Sequence, residues 1–181
     1  ESPPAPSVII SPDPAISGEQ LTATITDDSV DPEGDPIVYG YQWFVDGVEY
    51  PGGTTPVIAS GSTRRDDFWE VRVTASDPRS ASDPGIASIT IGNSLPRVDG
   101  VSIVPASPVT LDDLTAIPTG WFDQDLDPES YLYQWQVDGV VDTDEATDTF
   151  PWEKTARGQQ LRVTITPVDA FGSGEPVSST I

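Results

Sequence analysis

Thirty of the 181 residues are Asp or Glu, and two short runs of them have a spacing that could do chemistry. In the later run Asp123, Asp125 and Asp127 fall at every second position and Glu129 follows. In an extended segment that spacing puts three carboxylates on one side. Carboxylates so clustered repel one another unless solvent or a cation screens them, and a ligand set made only of oxygen suits calcium. The earlier run holds Asp27, Asp31, Glu33 and Asp35, and a further acid stands downstream of each run, Asp77 in the first case and Asp169 in the second. These ten acids are the candidate metal ligands. The pattern is not an EF-hand, because Pro128 stands where the turn glycine would be and no Glu closes the loop. A solvated turn is the rival reading, since Asp, Pro and Glu are ordinary loop residues.

Other chemistries lack their residues. The chain has no Cys, no His and a single lysine, Lys154. Soft and borderline metals therefore lack good ligands, and neither zinc, haem nor a nucleotide cofactor is expected. A Ser or Thr nucleophile has no base to activate it. Paired carboxylates could serve a glycosidase, but loop acids on small domains do not flank a deep cleft. The chain is not expected to be an enzyme. A net charge of −22 argues against nucleic acid or an anionic membrane as partner, both of which need a basic face. Acidity for solubility alone is the simplest account of that charge. No apolar run is long enough for membrane insertion within this stretch, and a first residue other than Met points to a mature or excised piece.

The elements that must position the acids are strands. Tyr-Gln-Trp-x-Val-Asp-Gly-Val occurs at Tyr41 to Val48 and again at Tyr133 to Val140. Tyr39, Tyr41, Trp43 and Val45 alternate with Gly40, Gln42 and Phe44, and the later copy alternates in the same way. Period-two alternation of aromatic and β-branched residues predicts a half-buried strand, and the Asp-Gly after it predicts a hairpin. A buried Trp in mid-strand is the usual anchor of an immunoglobulin-like sandwich. Val8 and Ile10 with Leu21-Thr22-Ala23 are repeated at a constant offset of 93 as Val101, Ile103 and Leu114-Thr115-Ala116. Aligning Asp-Pro-Glu of the two acidic runs changes the offset to 96, and the Trp strands return it to 92. Strand F is expected at Trp69 to Thr74 and Leu161 to Ile165, strand G at Ala87 to Ile91 and Val177 to Ile181. The fold class is therefore all-β: two tandem immunoglobulin-like β-sandwiches, residues 1–92 and 97–181, joined by a short linker and preceded by a proline-rich leader, Glu1 to Ser7.

Pro105 to Thr115, the Asp-Pro-Glu and Tyr-Gln-Trp-x-Val-Asp-Gly pair, and Ile-Gly-Asn-Ser-x-Pro at Ile91 to Pro96 resemble the tandem Ig-like repeats of very long bacterial secreted and surface proteins. Those repeats are related in pattern to PKD and cadherin-like domains. The resemblance implies an extracellular or cell-surface location and a structural or adhesive stalk. Its partners would be neighbouring repeats of the same chain, other surface proteins or glycans. It also implies that Ala23 with Val71, and Ala116 with Leu161, take the places where many relatives have a bridging cysteine pair.

In such a sandwich the B–C and F–G loops share one end, so Asp123, Asp125, Asp127 and Glu129 are expected close to Asp169 and to the incoming linker. Calcium held there is expected to stiffen the junction between repeats, as in cadherin-like chains, with Arg64 or Arg65 as the alternative source of neutralising charge. The acids of the first copy would serve a preceding repeat. A second function remains open: a non-catalytic carbohydrate-binding accessory module of a secreted enzyme. It requires Phe44, Trp69 and Trp152 to form an exposed planar strip, whereas a stalk uses such rings to plug the sandwich.

Overall fold

In the computed structural model, which describes all 181 residues, the chain separates into two units, Glu1–Ser94 and Leu95–Ile181. The first unit runs β1 (Ser7–Ser11), β2 (Ala15–Ile16), β3 (Leu21–Asp27), β4 (Val38–Val45), β5 (Val48–Glu49), β6 (Val57–Ile58), β7 (Phe68–Ser76) and β8 (Gly85–Gly92). These strands make one sheet in the order β1-β3-β6 and another in the order β2-β8-β7-β4-β5. The first strand is split: β1 pairs with β3, and β2 crosses to the other sheet and runs parallel to β8. Between them lie Pro12 and Pro14, which lack the N–H that a continuous ladder needs. The sequence pattern did not foretell β2, because two residues are too few for a period to appear.

The second unit runs β9 (Gly100–Val104), β10 (Leu114–Thr119), β11 (Tyr131–Val137), β12 (Val140–Asp142), β13 (Thr149–Phe150), a 3₁₀ turn at Trp152–Lys154, β14 (Leu161–Pro167) and β15 (Val177–Thr180). Its sheets are β9-β10-β13 and β12-β11-β14-β15. In both units the hairpin after the Trp strand is the expected one. Asp46 and Gly47 have φ of 50° and 77°, and Asp138 and Gly139 have 51° and 82°. Two successive positive φ values are what a two-residue turn needs to match the strand twist.

Each sandwich closes over its tryptophan. Trp43 and Trp135 are fully buried, and their indole N–H groups donate to the carbonyls of Thr55 and Thr147 at 2.9 and 3.0 Å. Ala23 and Ala116 are buried on the facing sheets. On the neighbouring strand Trp43 stands opposite Val71, and Trp135 stands opposite Val163. The expected pairing of Trp135 with Leu161 is therefore displaced by two residues, one full pleat repeat. Such a slip keeps the same face inward and so is invisible to alternation.

The true counterpart of Leu161 is Trp69, opposite Val45 as Leu161 is opposite Val137. The two cores compensate for this difference. Trp43 packs edge-on against Trp69 at 6.1 Å, and Ile58 lies across the sandwich. In the second unit Leu161 is smaller and Phe150 takes the position of Ile58, with its ring 5.3 Å from Trp135. The second aromatic has changed strand, so each core keeps a large ring against its Trp.

Candidate metal centre

The acidic loops occupy one end of each sandwich, between β3 and β4 and between β10 and β11. Asp123 is 4% exposed and organises its loop. Its Oδ1 accepts the amides of Asp125 at 2.7 Å and Asp127 at 3.3 Å. Its Oδ2 is buried and has no hydrogen-bond partner. Asp169, in the loop after β14, accepts the amides of Phe171 and Gly172 through Oδ1, both at 2.6 Å. Carboxylate oxygens of Asp123, Asp127 and Asp169 all lie within 4.8 Å of one another. Burying an ionised carboxylate with one oxygen unpaired is costly unless a cation compensates it. Oxygen-only ligands at this spacing fit a hard divalent ion such as calcium.

The first unit repeats the arrangement in a register that differs from the Asp-Pro-Glu alignment. Asp31, also 4% exposed, accepts the amides of Glu33 and Asp35 through Oδ2, both at 2.9 Å. Its Oδ1 is the buried oxygen without a partner. Asp77 accepts the amides of Arg79 and Ser80 at 2.6 Å. Asp31 thus corresponds to Asp123, Asp35 to Asp127 and Asp77 to Asp169. The second loop is one residue shorter and has no insertion followed by deletion. The shared tripeptide Asp-Pro-Glu falls at different points on the two loops, which is why it misleads.

The remaining acids are placed elsewhere. Asp125 and Glu129 are outside the group of three, and Glu129 accepts the Tyr131 hydroxyl proton at 2.8 Å. Burial, and then that carboxylate, push the Tyr131 phenol well above its ordinary range. Asp27 is exposed at the end of β3. Glu33 pairs with the amino terminus at 3.0 Å and Asp35 with Arg79 at 3.4 Å. The amide of Arg79 holds the Asp77 carboxyl below its usual range, helped by the amide and hydroxyl of Ser80. A lowered folded-state pKa makes Asp77 stabilising above the ordinary carboxylate range, and that contribution is lost as pH falls through the folded value.

The chain enters the second unit beside this cluster. Arg97 and Phe122 exchange backbone hydrogen bonds, both at 2.9 Å, and the Arg97 guanidinium lies 4.5 Å from the centre of the Phe122 ring. Trp121 packs edge-on against Tyr131 at 5.4 Å. The leader of the first unit is equally tied down. Pro3 and Pro6 are buried, and the Pro4 carbonyl accepts the Ser29 hydroxyl at 2.6 Å.

One loop position separates the two copies chemically. Gly34 has φ of 82°, and its counterpart Leu126 holds 62° with its side chain 88% exposed. Both donate their amide to the carbonyl of the organising Asp, at 3.1 and 3.3 Å. A branched side chain in the left-handed region is strained, by about 1–2 kcal/mol. Leu126→Gly relieves that strain but gains unfolded-state freedom, so it is expected to stabilise the second unit by up to about 1 kcal/mol. Thermal unfolding checks this, and a clear loss of stability would show that the Leu126 side chain makes contacts of value.

The aromatic strip required for sugar stacking does not form. Trp69 is 1% exposed inside the first core, and Phe44 is half-buried with the Arg72 guanidinium 4.3 Å from its ring centre. Trp69 instead fills the first core, the plugging place that was the alternative to an exposed strip.

Two layers of strands, antiparallel except where β2 joins β8, closed over a central Trp twice along one chain, define a tandem of immunoglobulin-like β-sandwiches. No family model and no curated protein matches the sequence. Among solved structures, the chain is similar to a two-domain fibronectin type-III segment of chicken tenascin, with a TM-score of 0.47, 16% identity, and coverage of 100% of this chain and 99% of that one. It is also similar to the FN1–FN3 domains of chicken CNTN1, with a TM-score of 0.36, 13% identity, and coverage of 98% of this chain and 68% of that one. No helix is long and apolar enough to cross a membrane.

Proposed function

We propose that this chain is a pair of non-catalytic stalk or adhesive repeats from a large extracellular or cell-surface bacterial protein, and that the second repeat binds calcium. The observation that carries the metal reading is the buried, unpartnered Oδ2 of Asp123 beside the carboxylates of Asp127 and Asp169. Asp123 and Asp169 are held from behind by backbone amides, so their geometry is set before an ion arrives. Calcium there would bridge the B–C and F–G loops of the second unit at the end where Arg97 pairs with Phe122. Ordering that end is how a repeat chain would be stiffened, and oxygen-ligand sites of extracellular modules bind in the range of about 0.1–1 mM. The buried Trp69 supports the stalk over the sugar-binding alternative.

The test is calorimetric titration of the intact chain with calcium, alongside limited proteolysis of the segment from Asn93 to Arg97. Heat of binding with a stoichiometry of at least one, and slower cleavage in calcium than in chelator, are the expected results. No heat at millimolar calcium and identical cleavage would end the metal reading and leave the stalk reading in place.

A further inference from the structure

The F–G turns of the two units are built on one plan. After β7, Asp77 accepts the amides of Arg79 and Ser80 at 2.6 Å, and its own amide donates to the Ser80 carbonyl at 3.0 Å. After β14, Asp169 accepts the amides of Phe171 and Gly172 at 2.6 Å, and its amide donates to the Gly172 carbonyl at 3.0 Å. Isolated bridges, Ser76 to Ala81 and Val168 to Ser173, close the two turns alike. Arg79 therefore stands where the second unit has Phe171, and Ser80 where it has Gly172.

Both differences bear on the carboxylates. The Arg79 guanidinium lies 3.4 Å from Asp35 Oδ2, and Asp35 is the counterpart of Asp127. The Ser80 hydroxyl donates to Asp77 Oδ2 at 3.0 Å, and Gly172 has no such group. The three carboxylates of the second unit converge to within 4.8 Å, and those of the first do not. Asp31 is nevertheless as deeply buried as Asp123, and its Oδ1 likewise has no hydrogen-bond partner. Both loop ends thus keep a buried carboxylate oxygen that calls for positive charge, and only the first carries a cationic side chain on its own F–G turn.

We propose that Arg79 is a tethered counter-ion that closes the loop end of the first unit to calcium, so that this one turn position decides whether a repeat takes the ion. The inference rests on the calcium reading of the second unit and extends it to the difference between the units. The Ser80 hydroxyl can rotate away from Asp77, so it is a weak obstacle to an ion. A tethered positive charge is a stronger one. With an effective dielectric constant of about 20–80, a unit charge about 4 Å from a divalent ion weakens its binding by about tenfold or more. As an ion pair Arg79 contributes little to folding, because its side chain is 73% exposed. Removing its charge therefore leaves the first sandwich folded and changes what the loop end binds.

The experiment titrates calcium into the intact chain and follows amide NMR shifts of Glu33 and Asp35, which report the first unit, and of Asp125 and Asp127, which report the second. Four forms are compared: the parent, Arg79→Lys, Arg79→Gln and Arg79→Gln/Ser80→Gly. The Gln forms are expected to show saturable shifts at Glu33 and Asp35 with a midpoint at least about tenfold below that of the parent or of Arg79→Lys. Silence of both Gln forms at about 10 mM calcium, above the range of extracellular oxygen-ligand sites, would overturn the inference. So would a parent or a Lys form that responds at the same midpoint as the Gln forms. The Asp125 and Asp127 amides judge the second unit separately, so a silent second unit beside a responsive Gln form would sink the earlier calcium reading and leave the role of Arg79 standing.

Discussion

Replacing Trp135 with alanine is expected to abolish the cooperative unfolding of the second unit while the first unfolds as before. The indole is fully buried, packs against Phe150 at 5.3 Å, and is the hydrogen-bond donor to the Thr147 carbonyl. Truncating a buried Trp costs about 3–5 kcal/mol, and the orphaned carbonyl adds to that. A domain of this size has roughly 5–15 kcal/mol in total, and the second core has neither a disulfide nor the second tryptophan that Trp69 provides in the first. The measurement is amide NMR on heating, which reports the two units separately. A second unit that keeps its resonances and its melting temperature would show that Trp135 is not the anchor. Loss of both units together would show that they do not fold independently.

What was legible in the sequence follows from which signals survive without contacts. Trp43 and Trp135 were readable because strand alternation and the Asp-Gly turn sit next to them and agree. The register of the neighbouring strand was not, because Leu161 and Val163 both point inward and only the ladder with β11 separates them. The organising role of Asp31 and Asp123 was hidden for a related reason. Both acids are chosen by burial and by backbone amides two and four residues on, and neither shows in a motif. The Asp-Pro-Glu tripeptide drew the alignment to itself instead. The closeness of Asp169 to the B–C loop was inferable from sandwich topology alone, and Asp127 from its spacing. That Asp125 and Glu129 stand apart from the group depended on side-chain directions in a loop where Leu126 reverses the backbone.

Those same directions make Asp123→Asn the sharpest test of the cluster, because its effect should change sign with calcium. Asparagine keeps an oxygen to accept the amides of Asp125 and Asp127, and it replaces the unpartnered buried oxygen with an NH₂ group that can donate to the adjacent carboxylates. It also removes one negative charge from three that lie within 4.8 Å, and like charges in a poorly solvated site oppose one another. In chelator the variant is therefore expected to be at least as stable as the parent. In calcium the order should reverse. A ligand at about a hundred times its dissociation constant stabilises the state it binds by roughly 2.7 kcal/mol, and an uncharged Asn in place of the central carboxylate weakens that binding. Melting curves of parent and variant, each in chelator and in 10-fold steps of calcium, should cross. If a protein cation neutralised the cluster, Asp123→Asn would lower stability in chelator, and calcium would add nothing to either form. Parallel curves, with the variant lower by the same amount throughout, would mean that the Asp123 carboxylate is a structural brace and binds no ion.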